Sequence, residues 1–236
     1  MDIIVCLKQI FDLGQIKIDT TSQCPITEGV AKKLSDFDKN ALEEAVRIKE
    51  KHGGKVLALI EGAKDAAKEA LAMGADEAII YSADTDSLGT ATLLAGIIQK
   101  IKYDLILCGE ASIDAFSFQI GPRLAQALGI PVLTYTKKLE LKDTEVVVER
   151  DLENRYEVAK ARLPALVTVT KEINEPRIPT LLQILGASKK KITEISIEKQ
   201  EAGIETLSIT AIEMKRKEVI LKDIGELARI ILSEKS

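Results

Sequence analysis

Apolar positions along this chain keep one rhythm as far as Pro131 and a different one afterwards. Up to that proline, short unbroken apolar runs recur: DIIVCLK at 2–8, KVLALI at 55–60, EAIIYS at 77–82 and DLILC at 104–108. Runs of that length, ended by turn residues and lacking alternation, read as strands buried on both faces. Between them, residues 35–52, 63–73, 87–101 and 117–128 place apolar side chains at helical spacing. In the first helix Ala41, Leu42, Ala45, Val46 and Lys49 form one stripe, while Glu43 and Arg47 pair at i,i+4 on the other face. Ser35 and Asp38 resemble a capping box there, and Gly53-Gly54 ends the helix. Ala66, Ala67, Ala70 and Leu71 turn inward in the second helix, which stops at Gly74. The expected fold is therefore α/β: a Rossmann-like doubly wound, mainly parallel sheet with helices on both faces. GQIKID at 14–19 alternates and reads as a short edge or hairpin strand.

After Pro131 the spacing becomes two. KKLELKD, TEVVVERDL and RYEVAKARL, within 137–163, alternate as antiparallel strands with one wet face do. LPALVTVT (163–170) is again continuous and buried, and Asn174-Glu175-Pro176-Arg177 leads into a short helix at Thr180–Leu185 and a basic run, Lys189–Lys191. Residues 193–217 are polar without a lasting period and read as an extended arm. A last strand, Glu218–Leu221, and a helix bearing Ile224, Leu227, Ala228 and Ile231 follow. A long arm before a terminal packed unit is uncommon in a compact domain and points to a surface laid on a partner.

Composition removes several functions. The net charge of −4, with both signs interspersed, argues against nucleic-acid binding, and the 3% aromatic content argues against base-stacking platforms. His52 is the single histidine and the three cysteines, Cys6, Cys24 and Cys108, have no CxxC spacing, so no metal site is expected. Three free thiols fit a reducing compartment, and no apolar run approaches a membrane span; a cytoplasmic protein is the expectation.

The stretch Asp104–Pro131 carries the candidate chemistry. A buried strand ends at Gly109, and a polar loop delivers the chain into a helix, whose N-terminal amides and dipole suit an anion. Ser117 is expected to cap that helix, leaving the amides of Phe118, Gln119 and Ile120 for one phosphate, with Pro122 making the first turn irregular. Neither GxGxxG nor GxxxxGK[ST] is present. An ordinary strand–helix loop with a good cap is the plainer reading of the same spacing. In a parallel sheet, ligands collect at the carboxyl ends where strand order reverses. That places Cys6–Gln9, Ile60-Glu61-Gly62 and Gly109–Asp114 around one crevice, bordered by Ser35–Asp38. No Ser/His/Asp or Cys/His set accompanies them, so binding without catalysis is the natural inference.

Five stretches in order then resemble the beta subunit of electron-transfer flavoproteins: KQIFDLGQIKID, DFDKNALEEAVRIKE, ALAMGADEAI, GEASIDAFSFQIGPRLAQALGIP and LPALVTVTKEINEPRIPTLLQILGASKKKI. The resemblance implies a heterodimer with an alpha subunit that makes most of the FAD contacts. It implies AMP in this chain, or a second FAD in electron-bifurcating members. Carried over by position, the nucleotide would contact Cys6, Ser35, Asp36, Phe37, Asp38 and Glu61. The loop supplying Gly109, Glu110, Ala111, Ser112, Ile113, Asp114, Ala115, Phe116, Ser117, Phe118, Gln119 and Ile120 would complete the site. Docking to acyl-CoA dehydrogenase-type donors would use Leu181 as the anchor, with Lys189, Lys190 and Lys191 beside it. Electrons would leave for a quinone oxidoreductase. On this basis residues 1–192 form the nucleotide-binding domain, with docking segment 174–192, and residues 193–236 embrace the partner subunit.

Departures from the family pattern fall in three places. Ser35-Asp36-Phe37 stands where relatives often read Asn-Pro-Phe, and Asp36 brings a negative charge towards the phosphate unless it caps or points away. Phe116 and Phe118 replace residues that are commonly polar, so that adenine or a flavin ring would meet aromatics. Leu13 stands where some members place a tyrosine near the flavin. A reading of another class, an adenine-nucleotide sensor or hydrolase on the same sheet, predicts a Gly-rich phosphate loop and self-association, and leaves 174–192 unexplained.

Overall fold

A computed structural model describes residues 1–196, 202–212, 220–221 and 223–233. The chain divides into two compact units: Met1–Ile16 with Thr27–Leu207, and Lys17–Ile26 with Ser208–Ser236. In chain order the elements are β1 (Asp2–Phe11), β2 (Lys17–Ile18), β3 (Pro25–Ile26), β4 (Lys32–Leu34), α1 (Asp36–His52), β5 (Lys55–Glu61), α2 (Lys64–Met73), β6 (Glu77–Tyr81) and α3 (Ser87–Ile98). They continue with β7 (Leu105–Gly109), α4 (Ile120–Leu128), β8 (Val132–Lys142), β9 (Glu145–Leu152), β10 (Arg155–Arg162), β11 (Ala165–Val169), α5 (Leu181–Ala187), β12 (Lys191–Glu194) and α6 (Ile224–Ser233).

The first unit is built on one ten-stranded sheet, ordered β10-β9-β8-β11-β7-β1-β5-β6-β12 with β4 paired to β1. From β8 through β11, β7, β1, β5 and β6 to β12 every neighbouring pair is parallel, while β8, β9 and β10 form an antiparallel meander. The unbroken apolar runs follow from burial on both faces. Ile3, Val5 and Leu7 of β1 pack in the core shared with α1 and α2, whereas Ile4 and Cys6 pack in the core shared with α3 and α4. Alanines at 41, 45, 66, 67, 70, 91, 95 and 125 are all buried, and their small size lets helix backbones lie close on the sheet. The doubly wound, mostly parallel α/β architecture read from the apolar spacing is present.

In the second unit β2 and β3 form a hairpin, with Lys17 opposite Ile26 and Ile18 opposite Pro25. The 14–19 stretch is thus shared between a 3-10 turn, Leu13–Gln15, and the first strand of that hairpin. The Ala211 amide donates to the Gln23 carbonyl at 2.8 Å. Helix α6 leaves Ile224, Leu227, Ile230 and Ile231 exposed.

Several boundaries differ from the sequence reading for stated reasons. Helix α3 stops at Ile98 rather than at 101, where Lys100 and Ile101 turn back on the Ile97 and Ile98 carbonyls. Residues 193–194 belong to β12, which extends the parallel sheet beyond β6. Of the arm, 197–201 and 213–217 lie outside the described residues; so do Glu218 and Val219 of the last expected strand, and Ile220 and Leu221 have no regular structure. Glu43 does not face solvent: its side chain is 3% exposed, although its ion pair with Arg47 at 2.6 Å is present.

Candidate functional site at the carboxyl ends of the strands

Strand order reverses between β1 and β7, since the chain runs β1, β5, β6 in one direction and then returns to the far side of β1. Cys6 and Cys108 stand opposite one another in register across this junction, both buried. Burial and the neighbouring Cys6 thiol hold Cys108 well above the ordinary thiol range, with Cys6 the larger cause. Above the two thiols the first helix comes close. A Cβ on Gly109 would lie 2.6 Å from Asp38 Oδ1 and 2.8 Å from Phe37 Cβ, so β7 must end in glycine for α1 to start where it does.

That approach decides what Asp38 does. Its carboxylate accepts the Lys8 amide at 2.8 Å and the Gly109 amide, tying β1 and β7 to α1. Ser35 accepts from the Ile113 amide at 3.4 Å and makes no cap to its own helix. The expected capping box is therefore absent; the strand-end amides are the nearer donors, and the two side chains serve them instead. Burial pushes Asp38 up to about 7, against the two amide bonds and the Lys8 ammonium.

A cavity of about 920 Å³ opens beyond the strand ends. Lys8 at its edge forms a 2.8 Å ion pair with Asp114; burial lowers the Lys8 pKa, but Asp114, Glu61 and Asp38 together outweigh it and leave it raised. Glu61, at the end of β5, is raised by burial, partly offset by Lys8. Glu110 is raised to about 6 by burial and by Glu172 and Asp151.

The phosphate-loop reading needs one correction. Helix α4 begins at Ile120, with Gln119 in the cap position and no side-chain cap, so Ser117 is not the N-cap. The cause lies in Phe118, whose φ of 58° is left-handed and cannot continue a helix backwards to Ser117. Pro122 costs no intrahelical bond either, because the first such donor is the Arg123 amide, bonded to the Gln119 carbonyl. What remains is an uncapped helix start whose Ile120 lines the cavity. Phe116 is also left-handed, at φ 46°, and Phe37, Phe116, Phe118 and Tyr135 follow one another as a row of rings, with the Phe116–Phe118 edge contact at 4.7 Å.

Of the residues expected around a nucleotide, Cys6, Asp38, Glu61, Gly109, Glu110, Ala111, Ser112, Ala115, Ser117, Phe118, Gln119 and Ile120 line this cavity. Ser35, Asp36, Phe37, Ile113, Asp114 and Phe116 do not. Asp36 pairs with Lys33 at 3.3 Å, away from the lining residues. Leu13 sits in the 3-10 turn, 41% exposed. Lys8, inside the Cys6–Gln9 strand end expected at the crevice, lines it too; sequence reasoning missed the start of α3 and residues 202–206, of which Ala202, Ile204, Glu205 and Thr206 line the wall. Asp86 before Ser87 was a readable cap signal for α3; nothing in the local pattern marks 202–206.

The second expected site lies elsewhere on the same unit. Asn174 and Arg177 bind this segment to α1. The Asn174 amide donates to the Asn40 carbonyl and to Glu44, at 3.1 and 3.0 Å, and Arg177 bonds Glu43 at 2.7 Å and Glu50 at 2.6 Å. Thr180 and Gln183 then form a true capping box for α5. The helix displays Leu181, Leu182 and Leu185 at 71%, 81% and 59% exposure, burying only Ala187. Lys189 is exposed, and Lys191 lies near Glu77 at 3.3 Å. Lys190 points inward: its ammonium donates to the Leu71 and Ala75 carbonyls at 2.9 and 2.6 Å, closing the C-terminal end of α2. That removes Lys190 from the display surface.

Residues 25–200 match the electron transfer flavoprotein domain. The chain belongs to the electron transfer flavoprotein family. Within it, the chain is 41% identical over 217 residues to the electron transfer flavoprotein subunit beta of Thermoanaerobacterium thermosaccharolyticum, covering 86% of this chain and 84% of that one. The subunit beta of Clostridium acetobutylicum is 36% identical over 252 residues, 99% of this chain and 97% of that protein. Subunit CarD of the caffeyl-CoA reductase-Etf complex of Acetobacterium woodii is 40% identical over 203 residues, 82% and 77% of the two chains. Among the described residues of this electron transfer flavoprotein chain no helix is long and apolar enough to cross a membrane, and no cluster of His, Cys, Asp and Glu is suited to a metal ion.

Proposed function

We propose that this chain is the beta subunit of a heterodimeric electron transfer flavoprotein. It holds an adenylate, as AMP or as the adenylate half of a second FAD, beside an FAD held mainly by an alpha subunit. Support for the adenylate comes from the cavity at the strand-order reversal, where the uncapped start of α4 faces the lining. The residues fit a nucleotide held by main-chain donors. Lys8 at the edge is already paired with Asp114, and the wall carries carboxylates, so a phosphate is best served by the α4 amides.

FAD supplies the redox chemistry when bound; the protein's role is to keep it dry and close to its electron donors and acceptors. An electron carrier of this kind needs no acid–base pair of its own. The donors are dehydrogenases of the acyl-CoA dehydrogenase type, met by the exposed face of α5 with Leu181 as anchor. The acceptor is a quinone oxidoreductase, and the place of work is the cytoplasm. An apolar row displayed on a helix that is itself firmly tied down suits a hot spot, because little is lost in ordering it.

Acid extraction of the complex, co-expressed with its alpha subunit and purified, tests the reading. A yellow stoichiometric pair releasing FAD together with AMP, or two FAD, is expected. A pair releasing one FAD and no further adenine nucleotide would remove the adenylate site. Ser117→Leu, which fills the cavity wall, is expected to lower the second nucleotide's content while the first FAD stays.

A further inference from the structure

The cavity has a wall that neither the phosphate loop nor the start of α1 supplies. Asp86 caps α3 through Oδ1, which accepts the Leu88 and Gly89 amides at 2.9 and 2.8 Å. Its other oxygen, Oδ2, accepts the Gly203 amide at 2.9 Å. One carboxylate thus joins a helix start to a segment more than a hundred positions later in the chain. The main-chain bonds from Gly89, Gly203, Leu88 and Ile204 hold it below the usual carboxylate range. Next to it the Ser87 hydroxyl donates to Gln119 Oε1 at 2.7 Å, so the start of α3 is also fastened to the loop that leads into α4. Ala202, Ile204, Glu205 and Thr206 all line the cavity. Ile204 is 72% exposed there, an apolar surface with no protein cover.

We propose that residues 202–206 are a strap over the nucleotide, clasped by Asp86, and that this clasp sets how fast the nucleotide leaves. The inference rests on the adenylate reading above and adds a retaining element to it. The phosphate loop binds one side of the ligand through main-chain donors. The strap closes the side next to the start of α3, and Ile204 provides the surface that bound adenine or ribose covers. Opening needs the Gly203 and Ile204 bonds to Asp86 to part, while Oδ1 keeps the α3 cap.

The test uses the co-purified heterodimer charged with radiolabelled AMP and chased with unlabelled AMP. Asp86→Ala and Gly203→Pro are expected to speed release of the label about tenfold, the effect of losing one hydrogen bond to a charged acceptor. Gly203→Pro deletes that donor, leaving the Ile204 amide and the α3 cap in place. Gly203→Ala keeps the donor, and its methyl group would come no closer than 3.4 Å to Asp86 Oδ2, so it is expected to release at the wild-type rate. Wild-type rates in both Asp86→Ala and Gly203→Pro would overturn the strap while leaving the adenylate site standing. Failure of the wild-type complex to hold any label would overturn both.

Discussion

Asp38 and Glu43 sit on the same helix, are 6% and 3% exposed, and are held in opposite ways. Asp38 accepts two main-chain amides, with Lys8 close by but paired to Asp114, and burial drives it up to about 7. Burial alone would raise Glu43 as well, but Arg177 and Arg47 both bond its carboxylate and hold it below the ordinary range. The first ties two strand ends beneath a cavity, and the second ties a display segment to the helix. A buried carboxylate answered by guanidinium groups is a permanent charge and a firm anchor. One answered only by main-chain amides stays close to losing its charge. Rigid display and an adaptable cavity floor are thus built from one helix, less than two turns apart.

The comparison breaks most readily at Glu43. Glu43→Ala leaves Arg177 without its buried partner and is expected to cost roughly 3 kcal/mol, as breaking a buried ion pair does. It should loosen α5 without loss of nucleotide; a urea midpoint and an acid extraction on one preparation check both halves. An unchanged midpoint would mean that Glu50 alone anchors Arg177.

The display side can be tested without touching the anchor. Leu181→Ala is expected to leave the FAD spectrum intact and to slow electron transfer with the partner dehydrogenase about tenfold, the lower range for an anchoring side chain. Stopped-flow transfer at wild-type rate would reject that role.

The smallest effect concerns pH and sharpens the contrast in sign. Asp38 has a folded pKa above its unfolded value, so its contribution favours the folded state at low pH and fades as pH rises through about 7. Glu43 is depressed, and its contribution is present above the unfolded carboxylate range and lost as pH falls below it. The stability of wild type relative to Asp38→Asn should therefore decline by about 1 kcal/mol between about pH 6 and about pH 7. A difference that is flat, or that grows with pH, would show that Asp38 is ionised throughout.

The sequence legibility of these two regions differs for the same reason. Strand and helix positions were readable because a doubly covered parallel strand must be apolar at every position and a covering helix at every third or fourth. Even the crevice followed from the doubly wound sheet the pattern predicts, and the strand order does reverse beside β1. The partners of individual polar groups were not readable. Ser35 and Asp38 have local cap spacing, yet both turn to Ile113, Lys8 and Gly109. Lys190 sits in a basic run and is spent on the carbonyls of α2. Ser117 precedes a helical pattern but lost the cap to a left-handed Phe118.

What the sequence by itself determined is the sheet, its layers, the end of it at which the cavity opens, and membership in the electron transfer flavoprotein family. These rest on repeated patterns of apolar and turn residues, where many positions agree and no single one decides. Only the tertiary structure decided which carboxylate binds what, that Lys190 turns inward, and that Ala202, Ile204, Glu205 and Thr206 line the cavity. Those outcomes depend on one or two contacts between residues far apart in the chain, and a hydrogen bond of about 3 Å leaves no periodic trace in the sequence that makes it.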